Sequence, residues 1–155
     1  MSDLALTLER SVAAPPDAVW RVLTDLEGTA EVLSGVSRVE RLAGAGYAIG
    51  TRWIETRSVM GREESEELEV VGIDEGRSTV IAAEARGMAY RTEFTLEPTA
   101  DGTLLRMRFG GTLQSLSWVQ RAIGMLTARL GRAVTRTMMQ QDLDDIAAAA
   151  EALAP

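Results

Sequence analysis

The residues best suited to acid–base chemistry lie in one run, Glu63-Glu64-Ser65-Glu66-Glu67-Leu68-Glu69. Leu68 and Val70 set the phase of a strand, and counting back by twos puts Glu64 and Glu66 on its inner face. Glu63, Glu67 and Glu69 fall on the outer face. An inward carboxylate is costly unless it is paired, and burial or pairing moves its proton affinity. Such a group is a candidate general acid or base. Glu55 and Arg57 share a face of the preceding strand and are placed to pair with these acids across the ladder. Tyr90 is the remaining candidate proton donor. In the competing arrangement the strand starts at an open rim, and both inner carboxylates stand in water.

Much other chemistry is closed to this chain. It has no His, Cys or Lys, so histidine bases, thiol nucleophiles, Cys/His zinc sites and Schiff bases are excluded. Asp142, Asp144 and Asp145 lack the loop spacing that calcium requires and read as a solvated acidic patch. Gly44-Ala45-Gly46 and Gly110-Gly111 match no phosphate-binding fingerprint and read as turns. No metal or organic cofactor is expected. The net charge of −7 disfavours nucleic acid as a partner. No apolar run reaches the roughly 18 residues of a membrane span, and no signal peptide is visible, so a cytoplasmic location is expected. The 155 residues, 46% of them hydrophobic, suit one domain spanning 1–155 with a core of its own.

These residues need elements to hold them. Leu4 to Val12 alternates and reads as a strand. Pro15-Pro16-Asp17 opens a short helix through Leu23, and a second covers Glu27 to Leu33. Six strands follow: Val36–Leu42, Thr51–Met60, Glu63–Ile73, Ser78–Ala85, Ala89–Leu96 and Leu104–Thr112. Turn signals separate them about every 10 residues, the pattern of antiparallel hairpins. From about Leu116 to Leu153 the chain is rich in helix formers and free of proline. One long helix must then lie across a curved sheet of about seven strands, an α+β arrangement.

Period two places Leu105, Met107 and Phe109 on one face of the last strand, and Tyr90, Thr92, Phe94 and Leu96 on one face of its neighbour. Leu68 lies inward with them. Trp53 packs in the core or on a pocket wall. Along the helix, Leu116, Val119, Ile123, Leu126, Leu130 and Val134 form one apolar stripe. After Met138 the stripe rotates to Met139, Leu143, Ile146 and Ala150. A straight helix cannot present both stripes to one sheet, so a bend, break or bulge is expected between Gly131 and Gln141. The first part, through Val134, would wall a pocket, and the last part would pack elsewhere. Trp118 and Met125, near the arginine face, would leave apolar surface that either contacts a partner subunit in a weak homodimer or rests under a loop.

Several motifs carry a resemblance to a known family. They are Val12-Ala13-Ala14-Pro15-Pro16-Asp17-Ala18-Val19-Trp20 with Leu23-Thr24-Asp25, then Gly50-Thr51-Arg52-Trp53, Gly61-Arg62, and Glu97-Pro98-Thr99-Ala100-Asp101-Gly102-Thr103. In this order the chain resembles the START-like, Bet v 1-like superfamily (SRPBCC), the polyketide cyclase/dehydrase and lipid-transport group. It departs from the family in Glu27-Gly28-Thr29-Ala30-Glu31-Val32, where members often carry an aromatic-proline pair. The resemblance implies a helix-grip fold with a cavity between sheet and long helix, holding a hydrophobic or aromatic small molecule. Some members bind or carry ligands, and others are cyclases or hydrolases. The expected lining is Trp53, Leu68, Tyr90, Phe94, Met107, Phe109, Ile123, Leu126, Leu130, Val134 and Met138. Glu55, Arg57, Glu64 and Glu66 are its polar candidates. Binding or transport is the leading reading. A cyclase or dehydratase acting on a polyketide-like substrate is the alternative, and a protein-interaction module the third.

Overall fold

The computed structural model describes residues 4–85, 88–113 and 118–154, and the side chains of all of these except 4, 85, 112–113 and 118–130. Strand β1 (Leu4–Val12) leads into helix α1 (Pro16–Thr24), a 3-10 turn (Leu26–Gly28) and helix α2 (Thr29–Val32). Six strands follow: β2 (Val36–Ala43), β3 (Arg52–Val59), β4 (Arg62–Asp74), β5 (Ser78–Ala85), β6 (Met88–Thr99) and β7 (Gly102–Leu113). Helix α3 (Trp118–Leu153) closes the chain. The second expected helix is thus two shorter pieces. The Asp25 side chain accepts from the Gly28 N–H and starts the first of them.

The seven strands form one antiparallel sheet in the order β1-β7-β6-β5-β4-β3-β2. The helical excursion after β1 carries the chain to the far edge, and hairpins return it strand by strand to pair β7 with β1. Register shifts between Val36 and Arg38, Arg41 and Ala43, and Val70 and Gly72 interrupt the ladders. Such bulges bend a strand and raise its twist, which helps curl the sheet. This is the helix-grip fold, a curved sheet holding one long helix.

Register also sorts the inner face into rows. Trp53 lies opposite Leu68, Leu68 opposite Ala83, Ala83 opposite Tyr90, and Tyr90 opposite Gly111. A second row runs Ile81, Thr92, Phe109 and Leu6. The Tyr90 and Phe109 rings stack with centroids 5.4 Å apart. Gly111 permits this, since a Cβ there would come within 3.0 Å of the tyrosine ring.

The main core gathers where α3 crosses the end of the sheet beside α1. Leu143, Ala147 and Ala150 are fully buried against Val12, Val19 and Leu105. The rotated stripe of Met139, Leu143, Ile146 and Ala150 is therefore the buried face. The expected break or bulge is overturned, because α-helix continues without interruption through residues 131–141. The C-terminal part does not pack away from the sheet either. It is held there by its acids: Asp144 pairs with Arg10 of β1 at 3.2 Å. Asp145 accepts from the backbone N–H and hydroxyl of Ser34, both at 2.8 Å. The Leu116–Leu130 stripe and the Trp118–Met125 contact lie outside the described side chains.

Candidate functional site

Between the sheet and the helices is a cavity of about 330 Å³, within the span of small-molecule sites. Its floor is the paired rows: Trp53, Leu68, Ala83 and Tyr90, then Ile81, Thr92 and Phe109, then Phe94 and Met107. Val22 and Leu23 of α1 form one wall, with Leu26, Thr29 and Val32 from the turn and α2. Helix α3 closes the cavity with Thr135, Met138, Met139, Asp142 and Ile146. These follow an i, i+3, i+4, i+7 pattern, so one face of the helix looks into the cavity.

Tyr47 reaches the cavity from the loop between β2 and β3. Arg41 donates to the carbonyls of Gly44 and Gly46 and shapes that loop. Both glycines have positive φ, which a side chain would disfavour. The Tyr47 hydroxyl shares a 2.7 Å hydrogen bond with Thr79. Burial pushes the phenol's proton affinity up, and the Thr79 bond partly opposes the shift.

One polar network lies in this apolar setting. Arg57 donates from Nε to Glu55 at 2.7 Å, and from its two terminal nitrogens to the two oxygens of Asp142 at 3.1 and 2.8 Å. The side chains are 20% exposed for Arg57, 12% for Glu55 and 6% for Asp142. Burial works against the Arg57 charge. Attraction and hydrogen bonds from Asp142, then from Glu55, outweigh it and leave the guanidinium more basic than usual. For Asp142, burial raises proton affinity first, Arg57 opposes it, and Glu55 and Asp145 add to the rise. The net direction is upward, as expected where two carboxylates share one cation out of water. The bidentate geometry is still that of an ionised carboxylate held by a guanidinium.

Of the residues expected from sequence, Trp53, Leu68, Tyr90, Phe94, Met107, Phe109 and Met138 line the cavity, together with Glu55, Arg57 and Glu66. Two do not. Glu64 is exposed, since it lies towards the hairpin tip at Met60 and Gly61, beyond the cavity. Val134 is half-buried and off the lining, because the helix presents the set that begins one residue later. Ile123, Leu126 and Leu130 lie outside the described side chains. Glu66 both lines the cavity and is exposed, so it stands at the mouth.

Sequence reasoning missed Asp142, which is buried rather than part of a solvated patch. Its signal was its phase: it falls between Met139 and Ile146 on the apolar side of the helix. Tyr47 gave no signal, because a loop has no period. Ile81 and Ala83 were readable, as they alternate with the outward Val80, Ala82 and Glu84. Among the described residues, no group of three or more acids is placed to hold a metal ion. Nor is any helix long and apolar enough to cross a membrane.

Known proteins with solved structures share this architecture. A protein from Thermus thermophilus is 22% identical with a TM-score of 0.80, covering 98% of this chain and 100% of that one. The Zhui aromatase/cyclase from Streptomyces sp. R1128 is 18% identical with a TM-score of 0.81, covering 97% and 94%. Ginseng major latex-like protein 151 from Panax ginseng is 11% identical with a TM-score of 0.74, covering 94% and 96%. At these identities the likeness is one of fold. Comparison with curated proteins finds no significant match. The sequence itself matches a family model over residues 4–151, nearly its whole length, and so the chain belongs to the polyketide cyclase / dehydrase and lipid transport family.

Proposed function

We propose that this protein binds and carries a hydrophobic or aromatic small molecule in the cavity under α3. The observation that carries the reading is the cavity itself, about 330 Å³ with a mostly apolar lining and a few polar groups at one side. Apolar burial supplies the affinity, and the polar groups fix orientation. The stacked Tyr90 and Phe109 rings and Trp53 offer flat surfaces to an aromatic guest. Native mass spectrometry of protein purified from its own host tests this. The expected result is a retained small molecule that is lost from a cavity-filled variant. A retained molecule that survives filling of the cavity would place binding elsewhere and sink the reading.

A second reading has a specific observation in its favour. Glu55, Arg57, Glu66 and Tyr90 converge on one cavity, as acid–base catalysis in a cyclase or dehydratase requires. Incubation with a linear poly-β-ketone separates the two. A carrier returns the compound unchanged, whereas an enzyme yields a ring-closed or dehydrated product, and Glu55→Gln would slow that reaction.

A further inference from the structure

The conspicuous polar groups of the cavity are committed to the protein itself. Arg57 donates from all three nitrogens to Glu55 and Asp142. The Tyr47 hydroxyl bonds to Thr79, whose own proton goes to the Gly72 carbonyl at 3.1 Å, so Tyr47 is the donor of that pair. The Thr29 hydroxyl donates to the Asp25 carbonyl at 3.3 Å. Thr92 and Thr135 differ. Both line the cavity, and neither hydroxyl is hydrogen-bonded among the described residues. Thr137, two residues further along the helix, instead turns its hydroxyl back to the Ala133 carbonyl at 3.0 Å.

Thr92 stands on the floor, between Ile81 and Phe109 in the ladder. Thr135 stands on α3, one turn before Met138 and Met139 on the face that looks into the cavity. At both places valine, with the same branched shape, would serve apolar packing. A threonine hydroxyl adds one donor and two acceptor lone pairs. Covering them with a guest that offers no partner is costly. We infer that Thr92 and Thr135 are the hydrogen-bonding contacts of the bound molecule, one from the sheet and one from the helix, and that the guest is an apolar or aromatic molecule with hydroxyl or ketone oxygens at two separate positions. This rests on the binding reading above and adds to it the contacts and the class of the guest. A threonine can donate to a ketone or accept from a hydroxyl, because its O–H rotates to suit. A plain hydrocarbon fits the same walls but leaves both hydroxyls unpaired.

The test uses the whole chain and three probes on one aromatic body: naphthalene, 2-naphthol and 2,6-dihydroxynaphthalene. Each is titrated at neutral pH by its own fluorescence. Affinity is expected to rise in that order, by about threefold or more for each oxygen added. Thr92→Val and Thr135→Val keep the shape and remove one hydroxyl each. Each should weaken the dihydroxy probe by about threefold or more and leave naphthalene as tight as before or tighter. Neither variant strands a protein group, so the urea midpoint should hold or rise. Equal affinity for all three probes on the unaltered chain overturns the inference and leaves the binding reading standing. Variants that weaken naphthalene as much as the dihydroxy probe do the same. So does a lower urea midpoint in both variants, which would show that the hydroxyls serve the fold. Binding of none of the three probes overturns both.

Discussion

At the scale of single residues, Arg57 and Asp142 matter most. They join β3 to α3 across 85 residues of sequence, and their charges are largely out of water. Removing one member of a buried pair strands the other, which costs more than the pair is worth intact. Arg57→Met should therefore cost about 3 kcal/mol at neutral pH, read by urea denaturation. Asp142 also sets a pH dependence. Its proton affinity in the folded chain is raised from an ordinary value of 3.8. Its contribution to stability is then complete below that value and declines as pH rises through the higher folded one. Asp142→Asn removes this titration. The variant's stability relative to the parent should improve as pH rises above the ordinary carboxylate range. A deficit that grows with pH instead would mean that Arg57 more than compensates the burial of the charge.

At the scale of elements, α3 shows how one helix serves two ends. Met138, Met139 and Asp142 face the cavity, while Leu143, Ala147 and Ala150 sit in the core beside α1. The small side chains at 147 and 150 let the helices approach closely. Ala147→Leu forces extra methylenes into a fully buried position. It should cost about 1–3 kcal/mol, measured as a lower urea midpoint with an unchanged slope. The acidic residues of this helix were read from sequence as a solvated patch. Asp142, Asp144 and Asp145 instead tie it to β3, β1 and the loop before β2. Their partners Arg57, Arg10 and Ser34 are over a hundred residues away in two of the three cases. Local spacing carries no record of such pairings.

At the scale of the whole molecule, the cavity exists because the inner face is unevenly filled. Ala83 sits in the ladder between Leu68 and Tyr90, a small side chain between two large ones. Aromatic residues are only 5% of the chain, so few rings are available to fill the concave side. Ala83→Phe should fill the space from the floor. Naphthol affinity is expected to fall at least tenfold, about 1.4 kcal/mol, with little change in thermal midpoint. Loss of affinity together with loss of folding would show that residue 83 is core rather than cavity floor.

Hydrophobic periodicity and turn residues were enough to read seven strands, the short helices and a long closing helix, since both act over a few neighbouring positions. They also placed Leu68, Tyr90, Phe94, Met107 and Phe109 inward, because a strand's period of two leaves each residue only two faces; for Trp53 the choice between core and pocket wall was not a matter of period. Which inward residues meet empty space rather than core was decided by sheet curvature and by the angle of α3, and neither is a local property. The same holds for charge. Composition alone restricts the charged side chains to arginine and carboxylates, since the chain has no His, Lys or Cys. It takes the folded chain to bring Arg57 between Glu55 and Asp142. That pairing depends on distances through space, and burial gives it its strength.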